Sequence, residues 1–288
     1  MTLGAAVSAS ASTVVRQKPA AASATVTCEN VFFVGARGSG ETTGLGQEVT
    51  EMVSLAQGHI SGYTSAADAV NYPAVSADVL APTAAEVSAW EDAAGNPIGA
   101  ALALYDYYEN NVGTFLASIS AGVTATVNLV NSLHQSCPSS DIVLAGYSQG
   151  AMVIHQALLQ LSGSVTTDIK GVLLLADGNR VPNTKAHEFG TSLAQAEGIE
   201  TWINSTTGLG TTYPDIPSYA LANTANICNA GDIVCDFNFA HAINYSNGIK
   251  VHESYAIKNS NGTWTYDPAL ISGANWVGTN LASTLAAG

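Results

Sequence analysis

The chain has 288 residues, enough for one α/β domain with a sizeable buried core. Only 10% of the residues are charged and the formal net charge is −14, so no basic cluster is available to bind nucleic acid or an anionic membrane surface. We therefore expect neutral partners and no nucleic acid.

The N-terminal stretch 1–26 is rich in Ala, Ser, Val and Thr and has few large apolar side chains. This composition predicts a disordered leader or the remnant of a signal peptide. Residues 3–15 are too short and too polar to span a membrane, and no other window approaches the ~20 apolar residues that a spanning helix needs. We therefore expect no transmembrane segment, and one domain over residues 27–288.

An apolar strand is predicted over Val31–Val34. It runs into the Gly-rich loop 35–41, and a helix with apolar periodicity follows at about residues 47–57. In serine hydrolases a loop after an early strand can donate a backbone N–H to an oxyanion, and Gly38-Ser39 is the candidate here. A plain glycine turn is the alternative interpretation.

The next predicted strand covers residues 69–74 and should end at Pro73. Residues 79–112 alternate Ala-rich, helix-permissive stretches with Pro and Gly, which predicts a surface insertion of short helices. A longer helix over residues 112–135 has apolar residues at helical spacing and should pack one face on the sheet.

The strongest local signal lies in residues 141–161. An apolar strand leads into Gly146-Tyr147-Ser148-Gln149-Gly150, and an apolar segment with helical periodicity follows. A serine on so sharp a bend has a strained backbone, and its hydroxyl points out from the tip of the strand. The glycines two residues before and after it leave room for the backbone and the neighbouring helix. N–H groups at the start of the helix would stabilise an anion above the hydroxyl. Ser148 is therefore the candidate nucleophile, with an ordinary strand-to-helix turn as the alternative.

Three segments follow this turn. Residues 169–176 form a near-continuous apolar run, which is typical of a central parallel strand, and Asp177 stands at its end. Residues 199–204 could be another strand or a loop. Residues 208–217 have the composition of a loop.

The chain has four cysteines, Cys28, Cys137, Cys228 and Cys235, without the paired C-x-x-C spacing of a zinc site. An even set of this kind predicts two disulfides and an oxidising, extracellular location. Cys228 and Cys235 are seven positions apart and can close a small ring that contains Asp232.

A serine nucleophile needs an imidazole to take its proton and a carboxylate to orient that imidazole. In sheet hydrolases the chain order is Ser, then Asp or Glu, then His, and Ser148 followed by Asp232 fits this order. Asp232 is favoured as the acid because a closed ring would hold it rigidly, and Asp177 at a strand end is its rival. Two histidines follow Asp232, His241 and His252, and chain order does not choose between them.

The other histidines have weaker claims. His59, His134 and His187 precede the acid or lie in helical and polar stretches, which favours a solvated role. His155 lies two helical turns beyond Ser148, about 10 Å along the axis, and we expect it in the core.

Four patches follow one another in the chain: Cys28 through Val31-Phe32-Phe33-Val34 to Ala36-Arg37-Gly38-Ser39-Gly40-Glu41; Asn71-Tyr72-Pro73; Cys137-Pro138 through Gly146-Tyr147-Ser148-Gln149-Gly150; and Cys228 through Gly231-Asp232 to Cys235. Together they resemble the cutinase family, which includes the acetylxylan esterases and the cutinase-like proteins of actinobacteria. The resemblance implies an α/β fold, a three-layer sandwich with a central, mostly parallel sheet flanked by helices.

The resemblance also implies roles for individual residues. The family has a tyrosine three positions after its histidine, and His252 with Tyr255 fits this pattern. His241 is followed by tyrosine at four positions, so His252 is taken as the base. The backbone amides of Ser39 and Gln149 should form the oxyanion hole, with the Ser39 hydroxyl helping.

By the same resemblance, Cys28 should pair with Cys137, and Cys228 with Cys235. The longer bridge would close a loop of about 110 residues and stabilise the fold by roughly 4–5 kcal/mol on chain-entropy grounds. The chain departs from the compact members of the family in its longer stretches near 79–112 and 183–226, and in the 20 residues between the acid and the base. These extra loops could build a wall or partial lid over the serine.

The prediction is thus a secreted, monomeric serine esterase with Ser148, His252 and Asp232 as its catalytic residues and no cofactor or metal. Cutin-like polyester, short to medium acyl esters, lipids and acetylated xylan are candidate substrates, because loop shape sets acyl specificity. The alternatives are an acetylxylan esterase and, from another class, a non-catalytic binding or surface protein on the same fold.

Overall fold

The computed structural model describes residues 27–80, 83–93, 96, 99, 103, 112–208, 213–238 and 245–287. The predicted leader over residues 1–26, part of the predicted insertion 79–112, and His241 lie outside the described residues.

A sheet of six parallel strands forms the centre of the fold, in the order β2-β1-β3-β4-β6-β5. Its strands are β1 (Val31–Ala36), β2 (Ser65–Ala69), β3 (Asp141–Tyr147), β4 (Ile169–Leu175), β5 (His187–Phe189) and β6 (Thr224–Ile227). A separate antiparallel pair joins β7 (Ala256–Lys258) to β8 (Trp264–Tyr266). Because the main strands are parallel, the loops that follow β1, β3, β4 and β6 all leave from one edge of the sheet.

Helices cover both faces of this sheet. They are α1 (Gln47–Gln57), α2 (Ala84–Asp92), α3 (Gly113–Ser136), α4 (Gln149–Gln160), α5 (Ile199–Thr207), α6 (Ser218–Leu221), α7 (Tyr245–His252) and α8 (Pro268–Ala287). Side chains of β1 alternate between the faces: Phe32 and Val34 pack with α3 and α4, whereas Val31 and Phe33 pack with α1 and α8. The predicted α/β sandwich with a mostly parallel sheet is confirmed.

The predicted strand over residues 69–74 is wrong, because β2 is Ser65–Ala69. The alternating residues Val70, Tyr72 and Ala74 are buried in the core, which explains the strand-like pattern. However, the Tyr72 carbonyl accepts a 2.6 Å hydrogen bond from the Arg37 guanidinium instead of pairing with a strand. Ala74 has a φ of 47°, so the chain turns away from the sheet.

The segment predicted as a strand or a loop over residues 199–204 is the helix α5. Ile199, Trp202 and Ile203 stand at i, i+3 and i+4, a helical spacing that the short window concealed. In the predicted insertion of short helices, α2 begins with a capping box in which Thr83 and Glu86 each bond the other's backbone N–H.

Among the described residues, α3 meets the length and hydropathy criteria for a membrane span, with 24 residues and a mean hydropathy of 1.4 over an 18-residue window. The expectation that no window approaches such a span is therefore wrong by this measure. The apolar stripe of α3 has a place in the fold, because Phe115, Ile119 and Val123 pack in the same buried cluster as β1 and α4.

Candidate active site

Ser148 lies on the bend between β3 and α4, with φ 54° and ψ −120°. This left-handed conformation is strained for a residue with a side chain. The two flanking positions must be glycine because neighbouring backbone lies too close for a side chain. A Cβ on Gly146 would lie 2.3 Å from the Gly150 carbonyl oxygen, and a Cβ on Gly150 would lie 2.0 Å from the Ala36 carbonyl oxygen. The Ser148 amide donates to the Leu175 carbonyl at 2.9 Å, which holds the bend against β4.

His252 lies at the end of α7 and reaches the serine. Its Nε2 is 2.9 Å from Ser148 Oγ. The Tyr147 ring stacks on the His252 ring at 5.2 Å with an interplanar angle of 20°, and the Tyr147 hydroxyl donates to the His252 carbonyl at 2.8 Å. The residue before the serine therefore orients the histidine from two directions.

Asp232 lies on the other side of the same imidazole. Its two carboxylate oxygens are 3.0 and 3.1 Å from His252 Nδ1. The carboxylate is fully buried, and it also accepts N–H bonds from Val234 at 2.7 Å and Cys235 at 3.4 Å. The structure thus brings Ser148, His252 and Asp232 into one hydrogen-bonded row, in the order that proton transfer from a serine requires.

Both cysteine pairs form disulfides, Cys28–Cys137 and Cys228–Cys235. The second one closes the ring that carries Asp232. The Tyr255 hydroxyl accepts a 2.8 Å hydrogen bond from the Asn229 amide inside that ring. Since Tyr255 is three residues after His252, the chain ties the acid-bearing ring to the histidine-bearing helix.

Two opposing effects act on the pKa of His252. Burial lowers it, because the charged imidazolium loses water. The Asp232 carboxylate raises it through its charge and its hydrogen bond, and the charges of Glu48 and Glu253 add to this. The net pKa lies above the ordinary value for histidine, so the ring is a stronger base than a free imidazole.

The rival residues lie elsewhere. Asp177 contacts His155, with 2.6 Å between Oδ2 and Nδ1, and His155 is buried as expected. His59 and His187 are exposed, in keeping with the solvated role expected of them, whereas His134 is half-buried and bonds Asp168 at 2.6 Å.

The predicted oxyanion donors lie on two elements that meet at the serine. Gln149 is the first residue of α4, where the leading N–H groups have no acceptor within the helix. Ser39 lies in the loop after β1, and the amide of its neighbour Gly38 already donates to Glu41 Oε2 at 2.6 Å. In the part of the chain that the structure describes, the Ser39 amide has no hydrogen-bond partner.

Sequence reasoning missed the supporting residues Tyr147, Glu41 and Glu48. Tyr147 stood inside the quoted Gly-x-Ser-x-Gly segment, but nothing in a sequence signals that its ring stacks on a distant histidine. Across the described ranges, no group of three or more His, Cys, Asp or Glu is arranged to hold a metal ion.

Comparison with known proteins gives a consistent result. The family model for Cutinase matches residues 27–266. The chain is 33% identical over 135 residues to Cutinase 4 of Emericella nidulans, covering 47% of this chain and 44% of that protein. It is 27% identical over 165 residues to Acetylxylan esterase 2 of Talaromyces purpureogenus, covering 52% of this chain and 56% of that protein. The chain thus spans about half the length of the curated relatives it matches.

Among solved structures, a novel cutinase-like protein from Cryptococcus sp. matches with a TM-score of 0.50 at 19% identity, over 88% of this chain and 91% of that one. A likeness at this identity supports the fold alone.

Proposed function

The chain belongs to the cutinase family, and from this premise we propose that it is a serine-dependent carboxylic ester hydrolase. The observation that carries the proposal is the hydrogen-bonded row in which His252 lies 2.9 Å from Ser148 Oγ and 3.0 Å from Asp232. The names of the relatives, cutinase and acetylxylan esterase, support the same reaction class.

Acylation begins when the ester carbonyl lies over Ser148. The serine oxygen forms a bond to the carbonyl carbon while His252 Nε2 takes the hydroxyl proton, and Asp232 stabilises the resulting imidazolium. The amides of Ser39 and Gln149 donate to the oxyanion of the tetrahedral intermediate. The bond to the alcohol then breaks, and His252 returns the proton to the departing oxygen.

Deacylation repeats the sequence with water. His252 removes a proton from the water as its oxygen attacks the acyl carbon, and the proton passes to Ser148 as the acid leaves. Ser148 lies on the same bend, with φ 54°, in both halves of the cycle, so its side chain leaves the backbone from one position. Water is the one reactant besides the ester that this route uses.

The acyl group and the alcohol are the finer part of the proposal. Cutin-like polyester and short to medium acyl esters follow from the cutinase relatives, and acetylated xylan is the second candidate because one relative is named an acetylxylan esterase. A secreted enzyme is proposed because the two disulfides need an oxidising compartment to persist.

The test is hydrolysis of p-nitrophenyl esters over a series of acyl lengths, with wild type and Ser148→Ala. The variant should lose about 10³-fold or more of kcat. Rates that fall steeply beyond the acetyl ester would identify an acetyl esterase, and a maximum at butyryl or longer would identify a cutinase or lipase. Ser164→Ala is the matched control, because Ser164 also bonds a histidine, with 3.0 Å between its Oγ and His134 Nε2. Full activity in Ser148→Ala would contradict the proposal.

A further inference from the structure

Arg180 carries a buried positive charge in the loop after β4. Its side chain is 2% exposed, a burial that arginine rarely reaches unless its guanidinium has partners. The guanidinium donates to four groups: Glu188 Oε1 at 2.6 Å, the Leu193 carbonyl at 3.1 Å, the Cys235 carbonyl at 3.3 Å and the Ser192 hydroxyl. Three of these acceptors belong to the segment 188–193, and the fourth belongs to the ring that contains Asp232. Arg180 therefore joins that segment to the ring.

We call residues 228–235, which the Cys228–Cys235 disulfide closes, the acid ring. Its residues are all described, and none of them lies in a helix or a strand, so its position depends on contacts with neighbouring segments. Cys235 is fully buried at one end of the acid ring. Its carbonyl accepts from Arg180, and its amide donates to Asp232 Oδ1 at 3.4 Å. A single residue thus lies between the guanidinium and the carboxylate.

The segment 188–193 holds the other end of the acid ring. Both backbone groups of Cys228 bond to it, because the Cys228 amide donates to the Phe189 carbonyl at 2.9 Å and the Cys228 carbonyl accepts the Ser192 amide at 3.1 Å. Ser192 is also the residue whose hydroxyl accepts from Arg180. Arg180 therefore supports the acid ring at both cysteines, at Cys235 directly and at Cys228 through Ser192.

Two further contacts reach the acid ring from outside. The Ile199 amide donates to the Val234 carbonyl at 2.8 Å, and the Asn229 amide donates to the Tyr255 hydroxyl at 2.8 Å. Both contacts remain when Arg180 is changed, so the ring should shift and not detach. A small shift is enough to matter, because Asp232 lies 3.0 and 3.1 Å from His252 Nδ1 and a hydrogen bond is lost beyond about 3.5 Å.

We propose that Arg180 is a positioning residue for the candidate active site: its guanidinium holds the acid ring where Asp232 can bond His252. This inference deepens the proposed function and rests on it. Arg180 acts through the acid ring and is not itself asked to touch the substrate. The segment 188–193, which belongs to the long stretch near 183–226, takes part by clamping Cys228.

Arg180→Lys is the informative substitution. It keeps the positive charge but replaces the forked guanidinium by a single nitrogen, which cannot reach all four acceptors. A change at His252 then reports the position of the acid ring and not the loss of a cation.

The expected direction follows from the groups around His252. Burial, the largest effect, lowers its pKa, and Asp232 is the largest of the effects that raise it. The charges of Glu48 and Glu253 also raise it, and the Tyr147 ring stacks on it, but these three residues lie outside the acid ring. A weaker contact with Asp232 should therefore lower the pKa of His252.

The first arm of the experiment does not depend on activity. The imidazole C–H resonances of His252, assigned by their absence from His252→Asn, are followed against pH by NMR. Their midpoint should lie about 0.5 pH unit or more lower in Arg180→Lys than in wild type. Glu188→Gln is the matched control, because its amide oxygen can still accept from Arg180 and the bond to Cys235 stays, so its midpoint should equal that of wild type.

An unmoved midpoint in folded Arg180→Lys, or an equal drop in Glu188→Gln, would overturn the inference whether or not the protein hydrolyses esters. If Arg180→Lys does not fold, Ser192→Ala decides, since it removes one acceptor and leaves the guanidinium in place. Its midpoint should fall by about 0.2 pH unit or more, and no fall would equally overturn the inference.

The second arm measures ester hydrolysis by the folded variants. Arg180→Lys should lower kcat about tenfold while KM stays within about twofold, because the contact with Asp232 matters when His252 becomes charged. The acid limb of kcat/KM against pH should move in the same direction as the NMR midpoint. A lower melting temperature with unchanged kcat and an unchanged acid limb would show a merely structural role and contradict the proposal. Inactive wild type with a lowered midpoint in Arg180→Lys would instead count against the esterase function alone.

Discussion

His155 Nδ1 lies 2.6 Å from the Asp177 carboxylate, and His155 Nε2 lies 3.0 Å from the Pro214 carbonyl. Both ring nitrogens therefore face acceptors, so the ring carries two protons and a positive charge. Burial is the largest effect and lowers the pKa of His155. The charge and hydrogen bond of Asp177, together with the Pro214 carbonyl and the Asp215 charge, outweigh it, and the net pKa is raised. The Asp177 carboxylate, at the end of β4, thus forms a buried ion pair with His155, whereas the Asp232 carboxylate contacts His252.

Asp232→Asn should lower kcat by about 10³- to 10⁴-fold, because an amide cannot stabilise the imidazolium or hold the required tautomer. The unfolding free energy should change less, since the Asn oxygen can still accept the Val234 amide that lies 2.7 Å from Asp232. Initial rates of p-nitrophenyl ester hydrolysis and urea denaturation measure the two effects separately.

Asp177→Asn is the matched control and should give the opposite result. It leaves the buried His155 charge without its partner, which should cost about 3–5 kcal/mol of unfolding free energy. The folded fraction should retain kcat. If Asp177→Asn lost activity by the larger factor while Asp232→Asn did not, the acid would be misassigned.

Gly150→Ala should destabilise the fold by about 3 kcal/mol or more, because its Cβ would collide with backbone instead of a movable side chain. The contact in question is 2.0 Å to the Ala36 oxygen. Gly113→Ala, where nothing lies within 4 Å of the added Cβ, should be neutral or stabilise by up to about 1 kcal/mol. Urea denaturation midpoints compare the pair, and equal effects would mean that the bend is looser than described.

The two disulfides should separate stability from activity. Replacing Cys28 and Cys137 by Ser opens a link between positions 109 residues apart, and should cost about 4–5 kcal/mol of unfolding free energy with little loss of kcat at low temperature. Replacing Cys228 and Cys235 by Ser opens a link between positions seven residues apart, and should cost only about 2–3 kcal/mol of unfolding free energy. It should lower kcat more than the first replacement does, because Asp232 is no longer held in a closed ring. Thermal melts and single-temperature kinetics distinguish the two outcomes, and a larger loss of kcat in the first variant would contradict this account.

The bend at Ser148 was predictable from the sequence because strand, turn and helix are contiguous there. Each glycine's role depends on backbone within a few residues or on the adjacent strand. The ring around Asp232 was predictable for the same reason, because its cysteines are seven positions apart. The strand predicted over residues 69–74 was wrong because Val70, Tyr72 and Ala74 are buried at alternate positions, as in a strand, although β2 has already ended at Ala69.

The carboxyl networks could not be predicted. Glu48 falls on an ordinary helix, and nothing local indicates that folding leaves it only 8% exposed. Asp177 and His155 are 22 positions apart and meet only because α4 packs over the end of β4. Such pairs depend on tertiary packing, which charge patterns along a sequence do not encode.

Glu200 should make the protein less stable as pH rises. It is 5% exposed, accepts a 2.8 Å bond from Asn179 Nδ2, and burial raises its pKa to about 7. The folded state therefore binds more protons than the unfolded state, so the stabilisation is complete below the unfolded value of 4.5 and is lost as pH rises through about 7. A shift of this size on one buried group corresponds to about 3 kcal/mol at most.

Unfolding free energies at about pH 5 and about pH 8 test this prediction. Glu200→Gln should flatten the pH dependence, because the amide no longer titrates. Glu197→Gln, a half-buried carboxyl that bonds Ser205, is the control and should leave the slope unchanged. A slope identical in wild type and Glu200→Gln would show that other groups cause the effect.

A second row of the same residue types lies at the opposite end of β4 from the bend, where Asp168 precedes the strand. Ser164 Oγ is 3.0 Å from His134 Nε2, and His134 Nδ1 is 2.6 Å from Asp168. Ser164, however, lies in a short 3₁₀ turn without the positive φ that marks Ser148. Hydrogen-bond distances alone do not make a nucleophile, because the sharp strand-to-helix bend that presents Ser148 does not occur at Ser164.

Reaction of the folded protein with a fluorophosphonate, followed by peptide mass mapping, tests the central claim most directly. We expect a single label on Ser148, and none in His252→Asn within the same time. A label on Ser164 or Ser39, or no label on a protein shown to be folded, would contradict the claim that His252 and Asp232 activate Ser148. The unlabelled outcome would favour a binding protein on this fold.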